Sequence, residues 1–145
     1  MAVTFNFQNK KFFIPKQKHI VDWILLVAFL EKRELDNISY VFCDDTYLLT
    51  LNRQFLKHNT YTDIITFDYS TKKKLSAEIY ISSSRVQENA LEFKTTFPEE
   101  LKRVIIHGIL HCIGYSDKTK RSQQIMRRKE DHYLLMFTEM EKGST

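Results

Sequence analysis

The stretch from about Glu99 to Ile113 constrains this chain more than any other. Leu101, Val104, Ile105, Ile106, Ile109, Leu110, Cys112 and Ile113 leave a helix there apolar nearly all round. Such a helix needs cover on every side, which predicts a central helix packed inside the fold. Thr96 and Glu99, with Pro98 between them, mark its start through a capping box, and Gly114 supplies its stop. Yet it carries two histidines, and Gly108 in its interior. A helix-interior glycine costs about 1 kcal/mol relative to Ala, so something must need the absent side chain.

Around this helix the pattern is that of one α+β domain spanning residues 1–145. At 145 residues, with 43% hydrophobic and 28% charged side chains, the chain can bury one core but not two. Ala2–Phe7, Asn37–Cys43, Asp63–Tyr69 and Leu75–Ile81 read as strands, the last two joined by a polar turn short enough for an antiparallel hairpin. Pro15 opens a helical stretch with Ile20, Trp23, Ile24, Val27 and Leu30 at helical spacing, ending near Arg33. Further helices are expected over Asp45 to about Leu56, Arg85–Phe93, and from near Thr119, where Met126, Tyr133, Phe137 and Met140 share a face. The order β-α-β-α-β-β-α-α-α predicts a mixed sheet of about four strands with about five helices packed on it.

His107 and His111 lie four apart on the central helix, so their rings leave the same face one turn apart. Gly114 then ends the helix and Asp117 follows three residues later. Two imidazoles, a turn and a third donor make a three-ligand metal site at the end of the helix, with a fourth position open to water or substrate, as catalytic zinc requires. The pair alone is equally open to plain packing, because buried histidines often hydrogen-bond the backbone. The buried helix, Gly108, Gly114 and Asp117 together favour ligation. A metallopeptidase of this spacing needs Glu directly after the first histidine as its base, and here that position is Gly108.

The run HGILHCIGYSD, His107 to Asp117, resembles the signature of the YbeY family of metal-dependent endoribonucleases. Leu51-Asn52-Arg53-Gln54-Phe55, Thr62 to Phe67, Ala77 to Ile81, and Met126 with Glu130 resemble further family blocks in the same order. The resemblance implies a single-strand-specific endoribonuclease that hydrolyses RNA with a metal-activated water. It implies action in ribosomal RNA maturation and ribosome quality control, a partner in the ribosome or its small subunit, and one divalent ion, zinc. Three positions depart from the family. Asp117 stands where its third ligand is generally histidine, Ala77-Glu78 stands for Gly-Asp, and Leu56 stands for an arginine often thought to act on the substrate phosphate. Lys57 and His58, next along, are the candidates to replace that arginine.

Lys118, Lys120 and Arg121 flank the expected metal site and are candidate RNA-binding residues. Arg127, Arg128 and Lys129 form a second run and Lys72 to Lys74 a third. A charge run is usually a solvated face, and only the first borders the site. Cys112, about 100° round the helix from His111, is expected to pack in the core. The rival reading is a non-catalytic ribosome-assembly factor with a structural metal, which Leu56 favours. Two cysteines cannot build a disulfide framework, Met1 to Phe7 does not read as a signal peptide, and the longest apolar run, Ile24 to Leu30, is far short of the roughly 20 residues of a membrane span. A cytoplasmic location with no membrane partner is therefore expected.

Overall fold

The computed structural model describes residues 2–8, 14, 16–56 and 62–143. Its elements are β1 (Val3–Phe7), α1 (Gln17–Leu30), β2 (Glu34–Cys43), α2 (Asp45–Phe55), β3 (Ile64–Asp68), β4 (Lys74–Ser82), α3 (Ser83–Glu92), α4 (Phe97–Ile113) and α5 (Lys120–Gly143). The four strands form one mixed sheet in the order β1-β2-β4-β3, with β1, β2 and β4 parallel and β3 antiparallel to β4. The α+β class, the strand and helix counts and the β3–β4 hairpin agree with the sequence reading. Pro15, expected to open the first helix, lies outside the described residues. Strand β2 starts at Glu34 rather than Asn37 because the register shifts between Leu35 and Asn37, and that irregularity breaks the alternation a sequence reading relies on.

Alternation decides which sheet face is buried. Ile38, Tyr40 and Phe42 of β2 stand opposite Ala77, Ile79 and Ile81 of β4, and all six are buried on the face that meets the helices. Helix α4 lies on this face, with Ile105, Ile106 and Ile109 fully buried. The Tyr40 hydroxyl donates to the Ile105 carbonyl at 3.1 Å, and Trp23 of α1 donates to the Tyr133 carbonyl of α5 at 2.8 Å. On the other face, Leu48 and Leu51 of α2 pack with Cys43 and Ile65.

Gly108 marks the closest approach of α4 to the sheet. A Cβ there would lie 3.1 Å from Ile64 Cδ1 and 3.2 Å from Ile79 Cδ1, tighter than ordinary van der Waals contact. Any side chain at residue 108 would require Ile64 and Ile79 to give way for the helix to keep this seat on the sheet. Gly114 adopts φ 127° at the C-cap, and the Tyr115 N–H closes on the Leu110 carbonyl at 3.0 Å, which turns the chain back towards Asp117.

Candidate active site

A cleft of about 540 Å³ opens where α4, α5, α3 and the start of β3 converge. Its floor is the polar strip of α4, with Glu100, Arg103 and His107 at helical spacing. Helix α5 contributes Gln123, Met126, Arg127 and Glu130 to one wall. Thr62 and Asp63 contribute another, with Asp63 held by Asn89 Nδ2 at 3.2 Å and by the Ser82 N–H on its carbonyl at 2.9 Å. Asp117, from the loop after α4, completes the rim.

His107 sits at the junction of these walls. Its Nδ1 lies 2.7 Å from Glu130 Oε2, and its Nε2 faces Asp117 Oδ2 at 3.6 Å. Glu130 Oε1 accepts from Arg103 Nη1 at 2.9 Å, and Arg103 Nη2 donates to Asp131 at 2.7 Å. Burial alone would lower the His107 pKa. The Glu130 hydrogen bond, with the charges of Glu130, Asp117 and Asp63, outweighs it and holds the imidazole above its ordinary value. Burial raises the carboxyl pKa of Asp63, against the opposing charge of His107, and raises that of Glu100 against Arg103.

The structure thus brings His107 and Asp117 together. His111, one turn further along α4, is exposed and is not among the residues lining the cleft. Among the described residues, no three His, Cys, Asp or Glu side chains are gathered closely enough to hold a metal ion. The donor chemistry nevertheless fits one. His107 commits Nδ1 to a carboxylate and turns Nε2 to a second carboxylate, the arrangement by which a ligating imidazole is normally oriented. Lys57 and His58 lie outside the described residues. Leu56 is the exposed C-cap of α2.

Lys118, Lys120 and Arg121, which follow Asp117 in the chain, are exposed and are not among the residues lining the cleft. Of the second basic run, Arg127 lines the cleft, whereas Lys129 is bound to Glu31 at 2.9 Å. Lys73 and Lys74 lie at the opposite end of β4, beside Lys32 and Arg33. Cys112 is buried away from the cleft, where burial and neighbouring Asp68 push its thiol up to about 12. The sequence reading did not assign Arg103 or Glu130 a place in the site. A signal was present for Glu130, a carboxylate on the otherwise apolar stripe of Met126, Tyr133 and Phe137.

A one-sheet α+β fold whose central helix presents a carboxylate-paired histidine to an open polar cleft defines a protein equipped for acid–base chemistry on a polar substrate. The family model described as "Endoribonuclease YbeY" matches residues 4–138. Proteins named endoribonuclease YbeY from Christiangramia forsetii and Flavobacterium psychrophilum are 47% and 46% identical to this chain. Those matches cover 90% and 93% of this chain and 92% and 96% of the relatives. The solution structure of TM1509 from Thermotoga maritima superposes with a TM-score of 0.68 at 25% identity, over 98% of this chain and 93% of that one. This chain belongs to the YbeY family of endoribonucleases. Among the described residues no helix is long and apolar enough to cross a membrane.

Proposed function

We propose that this chain is a single-strand-specific endoribonuclease that hydrolyses RNA phosphodiesters in a metal-dependent reaction, in ribosomal RNA maturation and ribosome quality control. Its substrate is single-stranded or ribosomal RNA, its partner the ribosome or small subunit, and its setting the cytoplasm. His107, His111 and Asp117 would hold one divalent ion, zinc.

The observation that carries this reading is the charge of the cleft. Asp63, Glu100, Asp117 and Glu130 line it against Arg103, Arg127 and His107. Four carboxylates outnumber the two arginines and one histidine, so added positive charge favours the approach of a phosphodiester. When bound, a divalent ion supplies that charge and lowers the pKa of a water beside the scissile phosphate. The protein's own groups do the rest. Glu130 pairs with His107 Nδ1 at 2.7 Å and leaves Nε2 facing the cleft. Arg127 lines the cleft, and the exposed Lys118, Lys120 and Arg121 next to Asp117 in the chain are the candidates to attract the RNA phosphates. Lys57 and His58 are the candidates for the cation that Leu56 cannot supply.

Leu56, exposed and apolar, favours the second reading, an assembly factor whose metal only stabilises the fold. Cleavage of a single-stranded RNA before and after chelation, with circular dichroism recorded on the same sample, separates the two. Lost cleavage with an intact fold supports the nuclease, and a lost fold supports the structural metal.

A further inference from the structure

Glu130 is buried, with a side chain 6% exposed, and each of its oxygens has one partner. Oε1 is taken by Arg103, whose guanidinium can only donate. Oε2 faces His107 Nδ1 at 2.7 Å, and an ionised carboxylate can only accept, so the proton of that hydrogen bond sits on Nδ1. Arg103 also holds Asp131, the next residue on α5, at 2.7 Å. A forked cation on α4 therefore fixes the α5 turn that carries Glu130, one helical turn from the histidine the carboxylate reaches.

We propose that Arg103 and Glu130 act as a tautomer lock: Arg103 aims Glu130, and Glu130 confines the proton of neutral His107 to Nδ1, so that the Nε2 lone pair faces the cleft. Glu130 is a positioning residue acting through His107. Its consequence for ligand binding rests on the metal reading given above, but the lock is a property of the metal-free protein. Neutral imidazole in water favours the opposite tautomer, with the proton on Nε2. A His107 without the lock would present a donor to the cleft, and no cation could bind there until that proton left.

The isosteric substitution Glu130→Gln tests the lock. The amide has one oxygen and one NH2 group. Arg103, an obligate donor, demands the oxygen, which leaves the NH2 facing His107 Nδ1. His107 must then accept at Nδ1 and carry its proton on Nε2, where Asp117 can receive it. The readout is the 15N spectrum of histidine-labelled, metal-free protein at alkaline pH, where the imidazole is neutral. The wild type is expected to show Nδ1–H at His107 and Glu130→Gln to show Nε2–H. The double variant Glu130→Gln/Arg103→Met frees the amide to turn either way, so it should show a mixture of tautomers. Zinc affinity, measured by competition with a chromophoric chelator, should fall about ten- to a hundredfold in Glu130→Gln.

A contact that merely held α4 to α5 would not move the proton between nitrogens. Nε2–H in the wild type, or Nδ1–H retained in Glu130→Gln, overturns the proposal. A wild type that binds no zinc overturns the ligand set proposed above, and the nitrogen assignment then decides the lock by itself.

Discussion

Helix α5 serves two carboxylate clusters from adjacent residues, and the two are built to different ends. Lys129 and Glu130 point about 100° apart round the helix. On one side Lys129, Tyr115 and Tyr133 all donate to Glu31, at the end of α1. Burial opposes the Glu31 charge, but these hydrogen bonds overcome it and hold its pKa below the ordinary carboxylate range. On the other side, the same burial raises Asp63 and Glu100 above their ordinary values, and the opposing charges of His107 and Arg103 do not offset it. A closed cluster stabilises the fold. An open one destabilises it locally and leaves charge for a ligand to neutralise, and that contrast marks the cleft as the functional side.

The largest effect should come from cutting the proposed ligands. His107→Ala, His111→Ala and Asp117→Ala should each lose metal and slow RNA cleavage by about a hundredfold or more. Asp117, with a side chain 52% exposed, should do so while shifting the unfolding free energy by no more than about 0.5 kcal/mol. Full metal content in Asp117→Ala would show that another residue is the third ligand.

Glu31→Ala should reverse that pattern. It leaves Lys129, Tyr115 and Tyr133 without their acceptor and should cost about 2 kcal/mol in denaturant unfolding, with cleavage per folded molecule unchanged. The pH dependence follows from the lowered pKa. The stabilisation is present above the unfolded-state value near 4.5 and is lost as pH falls through the lower folded-state value. The wild-type advantage over Glu31→Ala should therefore shrink in acid. An advantage independent of pH would mean that packing, not charge, is what Glu31 supplies.

Asp63→Asn sharpens the contrast with a change of opposite sign. The raised pKa of Asp63 means that its cost appears as pH rises from the unfolded value of 3.8 through the folded one and is fully present above it. The amide oxygen can still accept from Asn89. Metal-free Asp63→Asn should thus gain about 1 kcal/mol or less at neutral pH and nothing in acid. Destabilisation at neutral pH would place Asp63 with Glu31 among the scaffold carboxylates.

The smallest effects belong to the basic run after Asp117. Replacing Lys120 or Arg121 by Ala should each reduce the salt dependence of RNA binding by about 0.7 in logarithmic slope, without changing metal content. The same replacement at Lys73, at the far end of β4, should leave that slope unchanged. An equal effect at both ends would mean that RNA is attracted by net charge rather than guided to the cleft.

Much of this was legible in the sequence because local rules agreed with the fold. The apolar circumference of α4, the N-cap at Thr96, whose hydroxyl accepts from the Glu99 N–H, and the hairpin between β3 and β4 are all local patterns, and each survives in the structure. So does the anomaly at Gly108, whose cause, the tips of Ile64 and Ile79, is a long-range contact that no spacing could name. The site was legible only in part for the same reason. His107 and Asp117 share a short motif, whereas Arg103 and Glu130 come from separate elements that meet only after the helices dock. The division of Arg127 and Lys129 between cleft and scaffold was likewise hidden, since a charge run does not show which side of its helix finds a partner.

The proposed ion would be held by His107 and Asp117 of the cleft together with His111, one turn further along α4. Zinc K-edge X-ray absorption on the loaded wild-type protein tests that directly. The expected spectrum shows a first shell of nitrogen and oxygen only, with outer-shell scattering from two imidazoles. A sulfur neighbour, which would bring Cys112 or Cys43 to the metal, or scattering from a single imidazole would contradict it.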